Sequence, residues 1–130
     1  MEEMAERRRE QRLRYQWPVW FAEDFNDRLC QGQMVDVSSR GAAFTCRNYE
    51  FSPYQGQHLT ARFSVPKFGT EESFDMTDFT RSCCVCRIED VNKFLRRVAI
   101  QFVEPLPFSP GEQAGSESET QQDLATMMMS

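Results

Sequence analysis

The amino-acid sequence predicts an all-β fold, a small six-stranded antiparallel β-barrel. Between positions 15 and 108 apolar residues recur with period 2 in short runs, turn residues separate the runs, and no stretch shows the 3.6-residue period of a core helix. On either side the composition changes. Residues 1–14 are dense in charge, and residues 109–130 are polar and rich in Gly, Ser, Glu and Gln. The middle zone, 15–108, is therefore the expected domain, with a charged arm before it and a disordered acidic tail after it.

Each strand has its own signal. "YQWPVWFA" opens the domain, and the turn-like "EDFNDRLC" separates it from "GQMVDVS". "GAAFTCR" follows across "SSRG". "LTARFSV" is the clearest run: Leu59, Ala61, Phe63 and Val65 alternate with Thr60, Arg62 and Ser64, and Pro66 is expected to end the strand. "FGTEESFDMTDF" carries Glu71, Glu72, Asp75 and Asp78 without a base and reads as a solvated loop, because its spacing does not match a calcium-binding EF-hand loop. "TRSCCVCRIED" and "RVAIQFV" form the last hairpin through the polar "EDVNKFLR", with Val98, Ile100 and Phe102 on one face and Arg97, Ala99 and Gln101 on the other.

Composition narrows the function. The 130 residues are 40% hydrophobic and include eleven phenylalanines, enough for one modest core. The net charge of -5 is concentrated in the tail, where Glu112, Glu117, Glu119 and Asp123 stand without Lys or Arg, so the body is nearly neutral. A DNA or RNA binder would need a broad basic surface, and none is expected here, although a small anion could be held. No run approaches 18 apolar residues and no apolar segment follows "MEEMAERRRE", so neither membrane insertion nor export is expected and the predicted location is the cytoplasm. An odd number of cysteines, five, agrees with a reducing compartment.

No catalytic constellation is evident. His58, the single histidine, lies at the start of a strand on its polar side with no nucleophile pattern near it. Cys83, Cys84 and Cys86 spell "CCVC", but in a strand Cys83 and Cys86 face opposite ways, and no second ligand pair exists to close a zinc site. They read as small hydrophobes, as do Cys30 and Cys46. The chain is expected to be no enzyme and to hold no metal or cofactor.

Two short stretches point to a ligand. In "DVSSRG", Asp36 and Ser38 are two apart at a strand end and leave the same face, one an acceptor and the other a hydroxyl, while Gly41 permits positive φ or a close approach. Taken alone, this is what a capped turn looks like. In "ERRREQRLR", Arg8 and Arg12 are four apart and lie on broadly the same side of the arm. Guanidinium groups make forked bonds to phosphate and fit the O6 and N7 acceptors of guanine. Taken alone, the arm is an amphipathic surface segment partly neutralised by Glu6 and Glu10.

Together, R-x-x-x-R at 8–12 and D-x-S-x-x-G at 36–41 resemble the two signature motifs of the PilZ domain family, which binds the bacterial second messenger cyclic di-GMP. The resemblance runs from about residue 7 to 105 and includes "GQHLTARFSVP", "CVCRI" and "RRVAIQFVE". It implies a split-barrel type of β-barrel with a flexible N-terminal arm that folds over the ligand. Arg8 and Arg12 would hold phosphates and guanine Hoogsteen edges, Asp36 would accept from the guanine N1–H and amino group, Ser38 would contact base or phosphate, and Gly41 would permit the turn. Arg7, directly before the motif, would stack on a second guanine and favour an intercalated ligand dimer. Arg40 and Arg87 are further candidates for ligand contact.

The family's frequent C-terminal packing helix has no counterpart in "EPLPFSPGEQAGSESE", where prolines give way to low-complexity sequence. The implied function is a stand-alone receptor that signals to an unidentified downstream protein. The competing readings are a ligand-independent PilZ interaction module for pilus or motility machinery, against which both arginines and the Asp, Ser and Gly argue, and a cysteine-based zinc or redox protein.

Overall fold

The computed structural model describes residues 10–26, 29–47, 53–68 and 74–113. Six strands follow one another: β1 (Leu13–Ala22), β2 (Cys30–Val37), β3 (Gly41–Arg47), β4 (His58–Phe68), β5 (Phe74–Asp90) and β6 (Leu95–Phe102). Every pairing is antiparallel, and the order β1-β2-β3-β6-β5-β4 closes on itself, so the predicted six-stranded barrel is the fold. Closure pairs the backbone groups that an open sheet would leave on its edges.

The period-2 pattern fills the interior. Val19 and Phe21 on β1, Met34 and Val37 on β2, Phe44 on β3, Phe63 and Val65 on β4, Val85 on β5 and Val98 on β6 are fully buried. The phenylalanines interlock, with ring centroids 4.8 Å apart for Phe21 and Phe44 and 5.4 Å for the stacked Phe63 and Phe102. Each such side chain contributes about 1.5–3 kcal/mol by leaving water.

β1 begins at the buried Leu13, inside the expected arm of residues 1–14, and the boundaries differ from expectation in three further places. β4 continues through Pro66 to Phe68, because β1 pairs with β4 only between residues 60 and 63 and Pro66 lies on a stretch whose other side is an edge, where a missing N–H costs nothing. The expected loop 68–79 is instead, from Phe74 onward, the first part of a 17-residue β5. It pairs with β4 as Lys67 to Asp75 and Ser64 to Asp78, and the Ser64 hydroxyl donates to the Asp78 carboxylate. Residues 75–79 of β5 lack buried alternation, which is why period 2 did not reveal this part of the strand.

The third difference follows the barrel. No α-helix occurs among the described residues, yet the segment after β6 is packed. Leu106 is buried, Phe108 lies 6.1 Å from Phe79, and Pro110–Glu112 form a 3-10 turn with Pro110 and Gly111 buried. The first residues assigned to the tail are thus part of the packed body, and residues 114–130 lie outside the described residues.

Candidate functional site

Register irregularities shape the end of β2. Pairing with β1 shifts between Arg14 and Trp17, and pairing with β3 shifts between Met34 and Asp36. Such bulges re-aim side chains. Here Met34 and Val37 remain in the core while Asp36 stands opposite Arg14 on one side and Ala43 on the other.

Two arginines from different parts of the chain share the Asp36 carboxylate. Arg12 places both Nε and Nη2 on Oδ1, at 2.8 and 2.7 Å, and Arg97 places Nη2 3.2 Å from Oδ2. Arg12 also donates from Nη1 to Ser38 Oγ at 3.4 Å. Asp36 is only 8% exposed, so these bonds supply the countercharge that water would otherwise provide. Beneath it, Tyr15 donates from its hydroxyl to the Ser64 carbonyl at 2.9 Å. Burial raises the phenol far above the ordinary tyrosine range and the Asp36 charge adds to this, so Tyr15 stays protonated.

The 36–41 turn is rigid. The Ser38 N–H donates to the Gly41 carbonyl at 2.8 Å, and Ser38 Oγ accepts from the N–H groups of Arg40 and Gly41 at 3.3 and 3.2 Å. Ser38 is therefore a turn-holding hydroxyl as well as a neighbour of Arg12. Phe102 and Leu106 donate their N–H groups to the carbonyls of Arg40 and Ser39, both at 2.7 Å, so the strand and segment behind fasten the turn. Gly41 is required for proximity: a Cβ there would sit 2.5 Å from the Ile100 carbonyl oxygen. Among the described residues the left-handed glycine is Gly56, at φ 88°.

Glu10 supplies a contact that the sequence reading credited only with charge compensation. Its carboxylate accepts from the Ser39 N–H at 2.7 Å and from the Ser39 hydroxyl at 2.6 Å. Behind it, the Gln11 N–H donates to Glu112 at 3.1 Å, and Gly111 lies so close to the Gln11 backbone that a Cβ would come within 2.2 Å of its carbonyl.

Of the predicted site residues, Arg12, Asp36, Ser38 and Gly41 come together. Arg7 and Arg8 lie outside the described residues. Arg40 contributes its backbone to the turn and exposes its side chain. Arg87 is on the same outer row, through Ala99 and Ala43 to Asp36, three strand spacings or about 14 Å away, and is ion-paired with Glu89 at 3.2 Å. Arg97 was legible only as a residue on the polar face of its strand.

The cysteines do not form a second centre. Cys30, Cys46 and Cys83 are buried, and burial pushes the Cys46 thiol up to about 11 and that of Cys83 up to about 12, which leaves both protonated near neutrality. Among the described residues no group of three or more His, Cys, Asp or Glu is arranged to hold a metal ion, and no helix is long and apolar enough to cross a membrane.

Comparisons with known proteins bear on the same region. Among curated proteins, none matches the chain. The Bacillus subtilis inhibitor of motility, MotI/DgrA, superposes with a TM-score of 0.60 at 15% identity over 94% of this chain, which spans about half, 51%, of that one. The PilZ domain with c-di-GMP of YcgR from Escherichia coli superposes with a TM-score of 0.53 at 12% identity, covering 95% of this chain and 92% of that one. At these identities the likeness is one of fold. The PilZ domain family model, in contrast, matches residues 6–113, a span that holds the arginine motif, the 36–41 turn and the whole barrel, and the chain belongs to the PilZ domain family.

Proposed function

We propose that this protein is a receptor for cyclic di-GMP, bound between the arginine arm and the 36–41 turn. The observation that carries the reading is the contact of Arg12 with Asp36 and Ser38, which brings the two sequence motifs to one carboxylate. Guanine contains a guanidine unit of its own, in which N1–H and the exocyclic amino group form a donor fork. Arg12 presents that kind of fork to Asp36. Binding is thus an exchange. The guanine edge takes Asp36, and Arg12 turns to the phosphates or to the guanine O6 and N7, joined by Arg8.

Arg7 stands directly before the arginine motif and would stack on a second guanine, so the ligand is proposed to enter as an intercalated pair, with Arg40 and Arg87 at its margin. The event is association alone, with no bond made or broken. Because Glu10, Gln11 and Arg12 hold the arm to the barrel, their release and re-closure over the ligand change the surface offered to a downstream protein. The proposed setting is the cytoplasm.

Calorimetric titration with cyclic di-GMP tests this beside Arg8→Ala and Asp36→Ala. The wild type is expected to bind with micromolar or tighter Kd, and each variant to lose about a hundredfold, in line with removal of a charge-assisted bond of roughly 1.5–3 kcal/mol. No binding by the wild type would sink the receptor reading. A ratio of one ligand per chain would sink the intercalated pair.

A further inference from the structure

We propose that Arg97, which belongs to neither motif, is a positioning residue that orients Asp36 for the guanine edge; this rests on the receptor reading above. The two oxygens of Asp36 are divided between two arginines, one from the arm and one from a barrel strand. Arg12 holds Oδ1 from the arm, and Arg97 holds Oδ2 from β6, where it is paired with Thr45 of β3 and Glu89 of β5. When the ligand arrives, Arg12 must leave. Arg97 projects from a barrel strand and is not part of the arm, so it can keep Oδ2 when the arm lifts.

What remains is a carboxylate that Arg12 leaves with one cation, and the incoming base keeps water from it, so it still needs a countercharge. Arg97 supplies it. The terminal torsion of an aspartate is soft, and a donor on Oδ2 biases the plane of the group. Each carboxylate oxygen has two lone pairs, so Oδ2 can serve Arg97 and a ligand N–H together, while Oδ1, vacated by Arg12, takes the other. The outward residue between Asp36 and β6 is Ala43, whose small side chain leaves a path over β3 for the long guanidinium. The role of Arg97 is therefore specificity for a base with two adjacent donors.

The test titrates wild type, Arg97→Ala and Arg97→Lys with cyclic di-GMP and with its inosine analogue, which keeps N1–H and lacks the amino group. Wild type is expected to prefer the guanine ligand by roughly tenfold or more, as a site built around a donor pair rejects a ligand missing one. Arg97→Ala is expected to lose about tenfold for the guanine ligand and much less for the inosine ligand, so that the preference falls to about twofold, with Lys restoring part of it. Equal losses for both ligands would mean that Arg97 acts on phosphate or on the fold and would overturn the inference, as would unchanged binding by Arg97→Ala. Failure of the wild type to bind either ligand would instead remove the receptor reading, and this inference with it.

Discussion

The 36–41 turn and the arm at residues 10–12 meet at one carboxylate, yet they are held in different ways. The turn is fastened by backbone: Ser38 to Gly41, Phe102 to Arg40 and Leu106 to Ser39, with Gly41 pressed against Ile100. The arm is fastened mainly by side chains, those of Glu10 and Arg12 on the turn and that of Glu112 on the Gln11 N–H. Releasing the arm breaks a few part-exposed polar contacts, whereas moving the turn unpairs strands that close the barrel. One jaw of the site is thus part of the fold, and the other can open at small cost.

Substitutions can break this contrast, and the largest effect is expected on the rigid side. Gly41→Ala drives a methyl group into the Ile100 carbonyl, an oxygen that belongs to the β3–β6 ladder and has little room to retreat. It should destabilise the barrel by about 2–3 kcal/mol, a fall in Tm of about 10 °C by thermal unfolding. A variant as stable as wild type would show that the turn is not the fixed jaw.

On the arm side, Gly111→Ala places its methyl group against the Gln11 backbone. The barrel can stay closed while the arm lifts, so Tm should fall by only a few degrees, about 1 kcal/mol, while limited trypsin digestion after Arg12 speeds up severalfold. Unchanged digestion would mean that the 110–112 turn does not hold the arm.

The smallest effect is expected for Glu10→Gln, which weakens the contact with Ser39 that any ligand moving the arm has to break. Stability should change by about 0.5 kcal/mol, and affinity for cyclic di-GMP should rise by roughly twofold to threefold in calorimetry. A drop in affinity would show that Glu10 supports the bound state rather than opposing it.

Six strands were legible because each buries one face, and burial of one face writes period 2 into residues such as Leu59, Ala61, Phe63 and Val65. Where that cause is missing the signal fails: residues 75–79 pair with β4 without buried alternation and read as a loop. The meeting of Arg12, Asp36 and Ser38 was legible through the two short motifs, and "DVSSRG" turned out to be both a capped turn and part of the candidate site. Arg97 and Glu10 were not legible as site residues. Neither has a motif of its own, and each reaches its partner across a sequence separation of 61 or 29 residues that strand pairing bridges, β2 through β3 to β6 for Arg97 and β1 with β2 for Glu10.

From sequence alone came the fold class, the neutral body with its charged arm, and the pairing of an arginine motif with an acidic turn, because these depend on local periodicity and on residue chemistry. The tertiary structure alone decided which oxygen of Asp36 each arginine takes, that Gly41 serves proximity rather than positive φ, and that the 3-10 turn at 110–112 packs beneath the arm. Those facts follow from strand register and barrel closure, which are set by the whole chain at once.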